Sequence, residues 1–176
     1  MFSKALMQAT YKDGRIGQLT DAHKRAEYHL FKSQYLFKSP KISKDIYISR
    51  LIQHFLILQA IETQLKCLKD EAKSEISSFF ALSYLEQLWR TPKIEKDLCE
   101  LGVEPEKIHS KQIALATEYY LKELKQLAPK VLLAHFLTHV AGFMHGGAII
   151  KSKYLEPSNK LTSYKIPFHQ YDFSEA

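Results

Sequence analysis

Apolar residues recur along this chain at intervals of three and four, the period of a helix, and nowhere alternate with polar ones long enough to predict a strand. Residues 1–18 are polar and predict an N-terminal arm with a short helical piece. From Leu19, the run LTDAHKRAEYHLFKSQYLF puts Leu19, His23, Ala26 and Leu30 on one stripe with Glu27 beside it, while Asp21, Lys24 and Arg25 point elsewhere. Thr20 or Asp21 can cap this helix, and Lys38-Ser39-Pro40-Lys41 ends it. Ser43 then reads as the N-cap of a long helix to about Lys69, whose Ile48, Leu51, Ile52, Phe55, Leu58, Ile61 and Leu65 cover more than one face, as a central helix requires.

A serine-rich break at 74–78 precedes a predicted helix through Leu82, Leu85, Leu88 and Trp89. Thr91-Pro92 starts a short helix ending at Leu101-Gly102, with Gly102 as the residue just past its end. Glu104-Pro105 is expected to open the next, along which Ile113, Thr117, Tyr120, Leu124 and Leu127 repeat, and Pro129 starts the last. Beyond Tyr154 the helical period stops, Pro157 and Pro167 intervene, and residues 155–176 read as an extended tail laid on the bundle. The expected fold is all-α: one helical domain over residues 1–176, six or seven helices around the long ones, without repeats or a dividing linker.

The last helix carries the anomaly. Its stretch LLAHFLTHVAGFMHGGAII holds His135, His139 and His145 together with Gly142, Gly146 and Gly147 where pure core is expected. Each glycine costs roughly 1 kcal/mol against alanine in a helix interior. Glycine bares the backbone to close approach, and a glycine pair favours a kink. A bent helix with a bare, histidine-flanked face reads as the wall of a pocket for a flat ligand.

Composition narrows the classes. The 176 residues carry a formal net charge of +6, 45% hydrophobic and 25% charged residues, an ordinary globular balance. The excess charge suits an anionic ligand, but the lysines are scattered and no basic helix interleaved with aromatics predicts nucleic acid. Cys67 and Cys99 lack metal or redox spacing and are expected to be buried thiols of a reducing compartment. The N-terminus shows no apolar leader and no run reaches about 18 apolar residues, so a cytoplasmic protein without a membrane span is expected.

Of the eight histidines, His29, His54, His109 and His169 have no evident partners in the sequence. His135 and His139, at i and i+4, share a helix face and can bind metal together. The chain holds a single Glu-x-x-His, Glu106 to His109, so a di-iron carboxylate centre lacks its ligands. No phosphate loop, dinucleotide fingerprint or nucleophile elbow is present. His23 stands apart: a histidine on an apolar stripe, with small Ala26 and acidic Glu27 one turn later, is what a haem ligand needs, and a core histidine fits the same pattern about as well.

Taken together, T-x-x-H-x-x-A-E at 20–27 and LLAHFLTHVAGFMHGGAIIK some 110 residues later resemble the heme oxygenase family, the second matching its distal helix at Leu132, Leu133, Ala134, His135, Thr138, Gly142, Gly146 and Gly147. Helix order, length and the tail SYKIPFHQYDF are similar through almost the whole chain. The resemblance implies His23 as the proximal ligand of haem iron and Glu27 as its hydrogen-bond partner, beside Ala26. It also implies a kinked distal helix whose Gly142, Phe143, Gly146 and Gly147 stretch lies on the porphyrin. Family members cleave haem with O₂ and an external reductase to biliverdin, CO and iron, so haem and an electron-donor protein are the expected partners.

This chain departs from the family where protons are delivered. Phe143 stands where the family has an Asp that orders distal water, His145 where it has a Ser, His139 where it has an Arg, and Leu137 and Leu58 where tyrosines are usual. Phe143 cannot order water, and controlled proton delivery contributes about 10²–10⁴-fold to a rate. His139 and His145 are therefore the candidate distal catalytic groups. The sequence ends at Ala176, before the helix whose basic residues meet the haem propionates in the family, which leaves Lys12, Arg15 and Lys24 as candidates and an apolar groove for a partner or a homodimer to cover. The alternatives to an oxygenase are a non-catalytic haem sensor or carrier and an interaction protein that kept the bundle without haem. Thiaminase-like hydrolysis on the same bundle would need a nucleophilic Cys constellation that neither Cys67 nor Cys99 has.

Overall fold

The computed structural model describes residues 20–21, 24–25, 41–69 and 75–173, among which no strand occurs. The long helix α1, Lys44–Lys69, begins where the sequence places it: the Ser43 carbonyl accepts the first helical bond from the Tyr47 amide at 3.0 Å. Asp45 in its first turn and Lys66 and Lys69 in its last complement the helix dipole. Its buried residues split into two clusters along its length. Tyr47, Leu51, Ile52, Phe55 and Leu58 pack with Ile94, Leu98, Phe143, Ile166 and Tyr171. Ile61 and Leu65 pack with Phe79, Trp89, Leu124, Leu132, Phe136 and Val140. Each fully buried aliphatic side chain contributes roughly 1.5–3 kcal/mol, so α1 is the axle around which the rest assembles.

Two short helices follow, α2 (Ser77–Phe80) and α3 (Leu85–Leu88), then α4 (Thr91–Glu100), α5 (Leu115–Leu124), α6 (Pro129–Ile150) and α7 (Glu156–Asn159). The single helix expected through Leu82 to Trp89 is two: Leu82 lies in the turn between them, and Trp89 leaves α3 with an extended ψ of 126°. Helix α4 ends as expected, with Gly102 taking the left-handed φ of 85° that only glycine adopts without strain.

The helix expected from Glu104-Pro105 starts ten residues later. Residues 105–112 form two 3₁₀ turns, and the Gln53 side chain on α1 explains why the chain stays irregular up to Ala114. Its carboxamide accepts the Ala114 amide at 2.9 Å and donates to the Gln112 carbonyl at 2.8 Å, satisfying backbone groups that a helix would have paired. Nor does the tail begin at 155. The chain continues from α6 through a π-helical segment, Lys151–Leu155, in which the Glu156 amide bonds back to Lys151. Pro157 sits in the first turn of α7, where a missing N–H costs little.

Residues 160–173 cross the bundle and are tied down by buried polar groups. Asp97 on α4 accepts the amides of His169 and Gln170 at 2.7 and 3.0 Å. The Tyr47 hydroxyl donates to the Pro167 carbonyl at 2.7 Å, and Arg50 donates to the Tyr171 hydroxyl at 2.8 Å. Arg90, 1% exposed, donates to the carbonyls of Leu88, Gln87 and Asp172 while its guanidinium lies 3.9 Å from the Phe173 ring centre. Glu62 crosses from α1 to accept the Arg90 and Thr91 amides at 2.6 and 3.1 Å, capping α4, which has no side-chain cap of its own. Burial holds Glu62 above the ordinary carboxylate range, against the pull of those amides.

The cysteines reverse the expectation. Cys67 and Cys99 are both exposed thiols. Cys67 follows buried Leu65 by two positions and Cys99 follows buried Leu98 by one, and on a helix such offsets turn a side chain away from the core.

Candidate functional site

Helix α6 is built with two opposed faces. Pro129 presets its first turn, and Ala128 before it takes the extended conformation a following proline enforces. Leu132, Phe136, Val140, Phe143 and Gly147 recur at helical spacing and are buried. On the other side lie Val131, His135, Thr138, Gly142, His145 and Ile149, at spacings that keep them on one stripe, with His139 and Gly146 along its edge. Along this stripe Val131 is 45% and Ile149 60% exposed, so the outward face is apolar without being core. The stretch Pro129–Asn159 is long and apolar enough to cross a membrane, with a mean hydropathy of 1.2. Its inner stripe, however, is packed on both core clusters, and its outer stripe is interrupted by histidines.

The three glycines do different work. A Cβ on Gly147 would lie 2.2 Å from Cδ1 of Tyr171, so this glycine seats the tail's aromatic ring against the helix. At Gly142 and Gly146 a Cβ would meet no described atom within 4 Å. Nothing among the described residues requires glycine there, and bare backbone faces outward at two positions one turn apart. The helix stays α-helical through all three, and its departure from α geometry falls at 151–155.

Phe143 is turned inward. It is 6% exposed, 5.5 Å edge-on from the His54 ring and 5.7 Å from Tyr171, in the cluster that also contains Leu58. The space beside α6 on that side is therefore filled by apolar side chains. His145 is exposed on the outer stripe.

His135 and His139 meet a residue the sequence reading took only as a helical repeat. Tyr120 on α5 places its hydroxyl 2.5 Å from Nδ1 of His135 and 3.5 Å from Nε2 of His139. The three side chains, with Val131, Ala134 and Thr138, line a cavity of about 260 Å³. Burial, helped by His135, pushes His139 down to about 4, so its imidazole is neutral at pH 7. Burial raises the Tyr120 phenol, which keeps its proton. Tyr120 lies fifteen positions before His135, so only the packing of α5 on α6 brings the three together.

His23, Ala26 and Glu27 lie outside the described residues, as do Lys12 and Arg15. Of the residues flanking them, Asp21, Lys24 and Arg25 are exposed, and the Lys24 amide donates to the Thr20 carbonyl at 2.9 Å. Among the other histidines, His169 does have a partner, Glu100, at 2.7 Å.

The described residues form an all-helical bundle in which one apolar helix packs one side into the core and leaves glycine backbone and histidines off it. The whole-chain comparison makes this specific: residues 16–167 match the heme oxygenase family profile, and the chain belongs to that family. Neither the curated proteins nor the solved structures gave a match.

Proposed function

We propose that this heme oxygenase-like protein binds haem between the segment carrying His23 and the outer face of α6, and opens the ring with O₂ and electrons from a reductase. The observation that carries this reading is the pair Gly142 and Gly146, two helix-interior glycines that no described neighbour requires. Roughly 1 kcal/mol of helix stability is given up at each, and close approach of a flat ligand to the backbone is the gain that accounts for it.

Bound haem supplies the iron at which O₂ is reduced. The chain supplies the rest. His23 would hold the haem iron, with Glu27 accepting a hydrogen bond from its other ring nitrogen. Gly142 and Gly146 let the distal helix come within van der Waals reach and exclude water there. His139 and His145, each three positions from Gly142, are the candidate distal polar groups.

Phe143 favours a second reading, haem binding without turnover. It occupies the inner side of α6 with Leu58 and Tyr171, where an ordered water chain would otherwise find polar anchors. A haem titration followed by reductant and O₂ separates the two. Bleaching of the Soret band with biliverdin formation supports the oxygenase. A stable ferrous or oxy spectrum overturns turnover and leaves haem binding standing. His23→Ala is expected to abolish the Soret shift or change the axial ligation.

A further inference from the structure

The cavity between α5 and α6 brings two imidazole nitrogens to one phenol oxygen. Nδ1 of His135 and Nε2 of His139 lie 2.5 and 3.5 Å from the Tyr120 hydroxyl, and both are directed at it. A hydroxyl carries one proton and can satisfy only one neutral acceptor nitrogen by donation. Two such nitrogens converging on a single phenol oxygen is also the arrangement that a small cation would organise.

The distances suit a metal. Metal–nitrogen and metal–oxygen bonds of roughly 2.0–2.1 Å put neighbouring ligand atoms about 2.9–3.4 Å apart at angles between a right angle and the tetrahedral value. The observed separations bracket that range, so small ring rotations within the cavity close the set. The helix fixes the histidine pair at i and i+4 on one face. A cavity of about 260 Å³ rimmed by Thr138 leaves room for a water in the open position. Among the described residues no cluster of three or more His, Cys, Asp or Glu exists, and the third ligand here is a tyrosine.

We propose that Tyr120, His135 and His139 form a three-ligand site for a divalent first-row transition ion that favours imidazole, with Cu(II) binding most strongly. The ligand set is nitrogen-rich and contains no carboxylate, which disfavours Mg²⁺ and Ca²⁺ and follows the affinity order in which Cu(II) stands highest. On binding, the Tyr120 O–H bond breaks, the proton leaves to solvent and the phenolate oxygen bonds to the metal; no oxidation state changes. This site stands on the α5–α6 geometry alone and does not depend on haem.

Titration of the haem-free full chain with Cu(II), followed by calorimetry, visible absorption and EPR, tests it. One tight equivalent is expected, with nitrogen hyperfine structure from two imidazoles, a phenolate-to-copper absorption band and release of one proton per ion. His135→Gln and His139→Gln should each weaken binding at least tenfold. Tyr120→Phe should remove the absorption band while leaving the two-nitrogen signal, which guards against variants that fail to fold. His23→Ala should leave the tight equivalent unchanged. Wild-type copper affinity in the His135→Gln/His139→Gln double variant, or a tight equivalent without the phenolate band, would overturn the assignment. Haem uptake is read separately through the Soret band, so failure of one site is distinct from failure of the other.

Discussion

Glycine at 142, 146 and 147 looks alike in sequence and acts differently in the fold. Gly147 is held to glycine by Tyr171, whose ring a Cβ would strike at 2.2 Å. Gly147→Ala is therefore expected to destabilise the protein by about 1–3 kcal/mol through overpacking, measured by chemical denaturation. Gly142→Ala and Gly146→Ala meet open space among the described residues and should each stabilise by roughly 0.5–1 kcal/mol while weakening haem binding. Lower stability at 142 and 146 would mean that these glycines also serve packing. The sequence marked all three positions as unusual but could not separate them, because the residue that decides Gly147 lies twenty-four positions away on the tail. Phe143 was legible as a departure from the family's distal acid, but its packing against His54 and Tyr171 was not, since a side chain's direction follows from the turn of the helix relative to its neighbours.

At the scale of elements, what was legible depended on whether local signals acted alone. Helix α1, with Ser43 at its start, and α4, ending at Gly102, fall where caps and periodicity place them. The segment 105–114 does not, because Gln53 on α1 captures its backbone from across the bundle. The tail was legible as tail, but its anchors on α4 were not. Two carboxylates there titrate in opposite senses. Burial raises Asp97 to about 6, so its contribution is fully present below the unfolded carboxylate range and is lost as pH rises through about 6. His169 lowers Glu100, so that contribution is present above the unfolded range and lost as pH falls through the depressed value. Asp97→Asn should flatten the dependence of stability on pH between about 4 and 6, and an unchanged profile would show that Asp97 is not the group titrating there. Arg90→Met should cost about 2 kcal/mol or more by leaving the buried Leu88 carbonyl without this donor, again read by denaturation.

For the whole molecule, the long α1 is surrounded by α4, α5, α6 and the tail, and α6 has one side in the core and one side facing out. Family membership over residues 16–167 names haem as the ligand to test against the outward side. Of the polar candidates near that face, His145 is exposed and His139 is half-buried at its edge beside Tyr120, whereas Phe143 packs into the core. If the ring is opened, its protons arrive along a different edge of the helix, and turnover in His145→Ala should fall by about tenfold or more, measured as biliverdin formed per reductant consumed, with haem affinity kept.

The central claim is that the bare backbone at Gly142 and Gly146 is a haem surface, and a Soret titration comparing the wild-type chain with Gly142→Leu/Gly146→Leu tests it most directly. Helical content by circular dichroism serves as the control for folding. The wild type should take up one haem per chain, and the leucine variant, equally helical, should bind at least about tenfold more weakly, a loss of ~1.4 kcal/mol. No saturable uptake by the wild type at micromolar haem, or equal affinity in the variant, would contradict it.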